Sequence, residues 1–236
     1  MITKKQLLLL CETLGIPRTI RKTKEQLREL IKNYSEKNNT QILASGKEIK
    51  WIYHTADIHI RTLERHNEYQ IVFDNLFNYL ESQDNLDESV LVICGDIFHN
   101  RDKLVSETII LFNKFIEKIS SIIDIVLIAG NHDTFTHSDR LDTITGIVDI
   151  KSFNRFHFLK LSGIYNYHNI NFIVSSLLDN KFIRANELPK ELTGINIALY
   201  HGAITGSKLD NMYSLPNSDS LLKIGDFKGY DIVLLG

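Results

Sequence analysis

Two rhythms of apolar residues organise this chain. Short continuous runs recur in its middle and later parts: Val90-Leu91-Val92-Ile93-Cys94, Ile125-Val126-Leu127-Ile128-Ala129, and the stretch 195–200. Runs of this length, bounded by polar residues, read as strands buried on both faces. Between them, apolar residues return at intervals of three and four. That spacing predicts one helix over 67–80, with Ile71, Phe73, Leu76, Phe77 and Leu80, and another over 106–122, with Ile109, Ile110, Phe112, Phe115, Ile116 and Ile119. A short strand is expected over 50–55, others near 156–161 and 170–175, and a last one over 231–235. Strands alternating with helices imply an α/β fold, sheet packed against helix.

Residues 1–36 follow a different pattern. Thr3-Lys4-Lys5-Gln6 and Thr23-Lys24-Glu25-Gln26 both have the capping-box form that opens a helix. The first helix carries Leu7, Leu10, Cys11 and Leu14 on one face and ends at Gly15-Ile16-Pro17; the second carries Leu27, Leu30, Ile31 and Tyr34. Residues 37–48, with Asn38-Asn39-Thr40 and Ser45-Gly46, read as a polar linker, and 49–236 as the main domain. The helical unit is basic: Lys4, Lys5, Arg18, Arg21, Lys22, Lys24, Arg28 and Lys32 stand against Glu12, Glu25, Glu29 and Glu36. It resembles a SAP module, the helix–loop–helix element of chromatin and DNA-repair proteins, over residues 5–31. That resemblance implies DNA contacts through Arg18, Arg21, Lys22, Lys24 and Arg28, near a helix N-terminus that favours anions.

The whole chain is no polycation. Its 236 residues carry a formal net charge of −2, so nucleic-acid binding would need a local patch or metals. The two cysteines, Cys11 and Cys94, are far apart and give no disulfide framework, which points to a reducing compartment. The apolar run 7–10 is too short for a signal core or a membrane span. A soluble intracellular protein without a membrane partner is expected.

The candidate chemistry sits where the strands end. Asp57-Ile58-His59 follows the first strand; on an extended segment the two outer side chains share a face and can grip one cation. Gly95-Asp96 follows the second, where a carboxylate suits a bridge between two cations and the glycine permits close backbone approach. Gly130-Asn131-His132-Asp133 follows the third: Asn131 offers an amide oxygen, His132 can aim at a phosphate, and Asp133 is expected to hold the His132 ring by a hydrogen bond. His201 follows the strand 195–200. Carboxylate, imidazole and amide ligands without thiolate favour Mn, Fe or Zn. Two such ions about 3.5–4 Å apart clamp a phosphate and lower the pKa of a water that attacks phosphorus. His66, His137, His157 and His168 are read as surface or loop residues, while His54 stands only three residues before the first motif.

These motifs resemble those of the calcineurin-like metallophosphoesterase superfamily over residues 50–236. The resemblance implies a sandwich of two mixed β-sheets flanked by helices. The segments His54-Thr55-Ala56-Asp57-Ile58-His59 and Gly95-Asp96-Ile97-Phe98-His99-Asn100 are similar to the SbcD-type nuclease branch. Carried over, Asp57, His59 and Asp96 would hold one metal, and Asp96, Asn131 and His201 the other. His132 would be the transition-state histidine and His99 would help set nuclease activity. The branch implies two Mn2+ ions, exonuclease and endonuclease action on DNA in repair or recombination, and an SMC-like (SbcC-type) ATPase partner; a homodimer is also admitted. The superfamily closes its site with a Gly-x-x-His-type motif after a late strand. Here Gly236 follows the strand 231–235, so a C-terminally truncated site with weak metal binding and low activity is expected. Two other functions stay open: a phosphomonoesterase or cyclic phosphodiesterase on a small substrate, and an inactive DNA-binding scaffold.

Overall fold

The structure is a computed structural model. It describes residues 4–14, 16, 22–38, 40–135, 142–147, 153, 155–207 and 221–236. In chain order the elements are α1 (Lys4–Thr13), α2 (Lys24–Asn38), β1 (Thr40–Ala44), β2 (Trp51–Thr55), α3 (His66–Glu81), β3 (Ser89–Cys94), α4 (Ser106–Ser120), β4 (Asp124–Ile128), β5 (Phe156–Phe158), β6 (Gly163–Tyr167), β7 (Ile170–Ser175), β8 (Ile195–Tyr200) and β9 (Ile232–Leu235). They build two sheets, ordered β2-β3-β4-β5 and β1-β6-β7-β8-β9. The α/β sandwich is as expected, with one difference. The four-stranded sheet is purely parallel; the other is mixed, through the antiparallel pair β6–β7.

Every residue of β3 is buried, because its two faces meet two different cores. Val90, Val92 and Cys94 join Val126 and Ile128 of β4 and Phe172, Val174, Ile197 and Leu199 of the second sheet in the layer between sheets. Leu91 and Ile93 point the other way, toward Phe73 and Leu80 of α3 and Phe112, Phe115 and Ile116 of α4. Period-two alternation divides one apolar run between two layers. Phe73 and Phe115 stack at 4.2 Å and fix the two helices against each other. Ile71 and Ile110 depart from the predicted helix faces: they are 60% and 52% exposed. Each lies two positions from a core residue, about 200° around the helix, so it falls on the outer side.

The supposed linker 37–48 is a structural part of the sandwich. Thr40–Ala44 forms β1 and pairs in parallel with β6, and Ile42 packs on the core of the helical pair. Beyond it, the turn His168-Asn169 between β6 and β7 clasps the segment leading to β2. His168 N–H donates to the Ala44 carbonyl (2.8 Å), Lys47 N–H to His168 Nδ1 (3.1 Å), and Ile49 N–H to Asn169 Oδ1 (2.7 Å). His168 is thus a buried loop residue, not a surface one.

The helical pair packs on Leu7, Cys11, Leu14, Ile16, Leu27 and Ile31. The second capping box forms as read: Thr23 N–H donates to Gln26 Oε1 at 2.9 Å, and Gln26 N–H to Thr23 Oγ1 at 3.2 Å. The first box includes Thr3 and lies outside the described residues, as do Arg18, Arg21 and His137. None of the described helices is long and apolar enough to cross a membrane.

Candidate metal centre

Strands β2, β3 and β4 run parallel and in register, so their carboxyl ends lie side by side. The pairing continues past the strands. Asp57 N–H donates to the Gly95 carbonyl (3.1 Å), His59 N–H to that of Asp96 (2.9 Å), Ile60 N–H to that of Ile97 (2.8 Å), and His99 N–H back to Ile60 (3.1 Å). This ladder brings the first two motifs together. The backbone is not extended there, as the sequence reading supposed. Asp57, His59 and Asp96 have φ of 55°, 50° and 53°. Left-handed residues aim both side chains inward by a different route. Aspartate tolerates this region better than most residues, which strict alternation does not reveal.

The result is a convergent set. His59 Nε2 lies 3.8 Å from Asp57 Oδ1 and 3.5 Å from Asp96 Oδ2; His201 Nε2 lies 3.3 Å from Asp96 Oδ1. Ligands about 2.0–2.2 Å from a common ion are separated by roughly 3–3.6 Å, so these gaps are close to cation-sized. The two oxygens of Asp96 face different imidazoles, an arrangement that lets the carboxylate serve two cations. Burial pushes the Asp96 carboxyl up, but His201 and the His132 N–H, which donates to Oδ1 at 2.8 Å, outweigh it and hold the group below its usual value. Gly95, at φ 82°, is needed for the approach: a Cβ there would lie 2.6 Å from Gly130 N and 2.8 Å from His201 Nδ1.

His201 is buried, with Nδ1 2.8 Å from the Cys94 carbonyl and Nε2 2.8 Å from Asn131 Oδ1. Burial opposes its charge, but Asp96 raises its pKa overall. A cation between Asp96, Asn131 and His201 would displace the Nε2 proton, and the Cys94 carbonyl would keep Nδ1–H fixed behind it. On the other side, burial lowers the pKa of His59, with help from His132 and His99 and against Asp96 and Asp57. The shift favours the neutral ring, and its Nδ1 is buried without a hydrogen-bond partner among the described residues. Its other nitrogen, Nε2, faces the Asp57 and Asp96 carboxylates, and an imidazole beside two carboxylates is a donor set that fits divalent metal.

Asp133 does not touch the His132 ring. Its wholly buried carboxylate accepts N–H groups from Ile97 (3.0 Å), Phe98 (3.1 Å) and Gly130 (3.0 Å), tying the loop after β3 to the loop after β4. Burial pushes its pKa up to about 6 despite those donors. The His132 ring is held instead by the His99 carbonyl, 2.8 Å from Nδ1, which leaves Nε2 free to act. Rings of His59, His99 and His132 pack within 4.9–5.9 Å of one another. The sequence brought His99 and His132 forward separately; their mutual support runs through a backbone carbonyl and leaves no mark in the pattern.

Beside the imidazoles opens a cleft of about 390 Å³, lined by His99, Asn100, Arg101, Asp102, Lys103, Asn131 and His132. Arg101 Nη1 donates to the carbonyls of Asn131 (3.0 Å) and Thr134 (2.7 Å). Neither Arg101 nor Lys103 was picked out from sequence, although an Arg-x-Lys directly after a ligand motif is a readable signal. Of the basic residues assigned to DNA, Lys22 and Lys24 are half-buried and Arg28 is exposed, 3.9 Å from Glu25.

Residues 50–236 match the family model described as calcineurin-like phosphoesterase. An uncharacterized protein of Acanthamoeba polyphaga mimivirus is 37% identical over 201 residues, covering 81% of this chain and 15% of that protein. The chain thus spans a small part of that relative's length. Side chains able to hold a metal converge at the ends of β2, β3, β4 and β8, and the family model matches most of the sequence: this chain belongs to the calcineurin-like phosphoesterase family, whose members hydrolyse phosphoesters with divalent metals.

Proposed function

We propose that the chain is a DNA nuclease that cleaves phosphodiester bonds by a two-metal mechanism. The observation that carries this reading is His99, packed beside His59 and His132 at the mouth of a cleft that also presents Arg101 and Lys103. A polyanion meets that wall with more than one charge, whereas a small phosphoester brings only the charge at the reacting group. Asp57, His59, Asp96, Asn131 and His201 are the ligands, and Mn2+ is the proposed metal. Bound divalent cations supply charge that polarises the phosphoryl group and lowers the pKa of the attacking water. His132, its Nδ1 fixed on the His99 carbonyl, presents Nε2 to stabilise the developing charge and to protonate the leaving oxygen. His99 orients His132 and crowds the reacting phosphate. The basic helical pair serves as a DNA-holding module, and an SMC-like ATPase is the proposed partner in repair or recombination. A second copy of the chain is a further proposed partner, and an intracellular compartment the proposed location.

The test compares Mn2+-dependent turnover of single-stranded DNA, blunt duplex, bis(p-nitrophenyl) phosphate and p-nitrophenyl phosphate. DNA should be cleaved, and His132→Ala should lower that rate by 10²-fold or more (order of magnitude). Rapid hydrolysis of the monoester with both DNAs intact would replace the nuclease reading by the small-substrate one.

A further inference from the structure

Arg101 is placed in an unusual way. Its Nη1 is spent on the Asn131 and Thr134 carbonyls, which fixes the guanidinium on the loop that carries Asn131 and His132. Among the described residues, no hydrogen bond or ion pair is recorded to its Nε or Nη2, nor to Lys103 Nζ. The Lys103 backbone is fixed too: its carbonyl accepts from Thr62 Oγ1 at 2.6 Å, joining this loop to the one after β2. Both cationic side chains line the cleft that continues from His99 and His132, and among the described residues of its lining Asp102 is the one acidic side chain. An anchored guanidinium with open donors is suited to grip a tetrahedral anion in two places.

We infer that Arg101 and Lys103 form a subsite for the phosphate adjacent to the scissile one in a nucleic-acid strand. The inference rests on the nuclease reading above and adds to it. The subsite favours internal phosphodiesters, which carry a neighbouring phosphate, over small esters, which do not. Arg101 is a specificity-determining residue that also positions the Asn131 loop; Lys103 adds charge.

Two measurements on the full chain test this. The first is binding of a fluorescent ten-nucleotide single strand in EDTA, titrated with salt. Loss of one phosphate contact lowers the slope of log K against log salt by about 0.7. Arg101→Gln and Lys103→Gln should each show that loss, while Arg101→Lys, which keeps the charge, should largely retain the slope. Unchanged slopes in both glutamine variants overturn the subsite. The second measurement compares the dinucleotide TpT with the trinucleotide TpTpT under Mn2+. The wild-type protein should prefer the trinucleotide roughly tenfold, mainly through KM, and Arg101→Gln should reduce that preference. Equal handling of the two, or proportional loss on both in the variant, overturns the subsite and leaves the nuclease reading standing. Hydrolysis of bis(p-nitrophenyl) phosphate with neither oligonucleotide cleaved overturns both.

Discussion

Asp133 shows how far a single side chain can govern this site. Its carboxylate is the common acceptor for N–H groups on the loops that carry Asp96 and Asn131. Asp133→Ala would strand three buried donors and should cost roughly 3 kcal/mol or more of stability. It should also weaken Mn2+ binding, since Asp96 and Asn131 would lose their relative placement. Urea unfolding and calorimetric Mn2+ titration check both; a fully stable variant with wild-type affinity would remove Asp133 from this role. The proposed ligands were legible as residue types: a carboxylate, an amide or an imidazole directly after an apolar strand is conspicuous in Gly95-Asp96, Asn131-His132 and His201. The role of Asp133 was not. Its partners at Ile97 and Phe98 lie more than thirty residues away, and backbone donors carry no identity in a sequence. For His132, adjacency in sequence suggested the wrong partner, because the nearer Asp points into the interior and the ring turns to the His99 carbonyl.

Among the elements, the long apolar strands and amphipathic helices were readable because burial dictates composition. Strand β6 was missed although every residue of it is buried, because Gly163 and Asn166 break its apolar run; β1 was missed for the opposite reason. Thr40–Ala44 is short and flanked by turn-forming residues, and its pairing with β6 is set over more than a hundred residues of intervening chain. The clasp around His168 makes a prediction at this scale. Burial, joined by Lys47 and His157 and opposed by Asp124, lowers the His168 pKa to about 4. An unfolded histidine titrates near 6.5. Between those values the unfolded chain takes up more protons than the folded one. The contribution of neutral His168 is therefore complete above about pH 6.5 and is lost as pH falls toward 4, amounting to roughly 2–3 kcal/mol. Protonation at Nδ1 would also break the bond from Lys47 N–H. Chemical unfolding measured between pH 4 and 7 should give a shallower pH slope for His168→Asn than for the wild type. An identical slope would assign the acid sensitivity to other groups.

At the scale of the molecule, the parallel sheet delivers motifs from distant parts of the chain to one rim, and the second sheet adds His201 from β8. Metal should therefore report on the whole fold. At a Mn2+ concentration 100 times Kd the native state gains about 2.7 kcal/mol, a rise in Tm of roughly 5–10 °C. Asp96→Asn, which weakens the bridge facing both His59 and His201, should abolish most of that rise, and EDTA should reverse it in the wild type. Scanning calorimetry decides; an equal rise in the variant would place the ions elsewhere.

The left-handed backbone at Asp57 and His59 has one more consequence. Glycine occupies that region without steric penalty, whereas an L-residue there gives up about 1–2 kcal/mol, somewhat less for aspartate. Asp57 is exposed, and its carboxylate approaches His59 Nε2 at 3.8 Å. Asp57→Gly should then be no less stable than the wild type, and up to about 1 kcal/mol more stable, while losing its response to Mn2+. A selection that rewarded thermal endurance alone would give up Asp57 first, since Asp96 and His201 are buried and hydrogen-bonded. What such a selection recovered would be a sturdier sandwich whose rim had lost its outermost carboxylate.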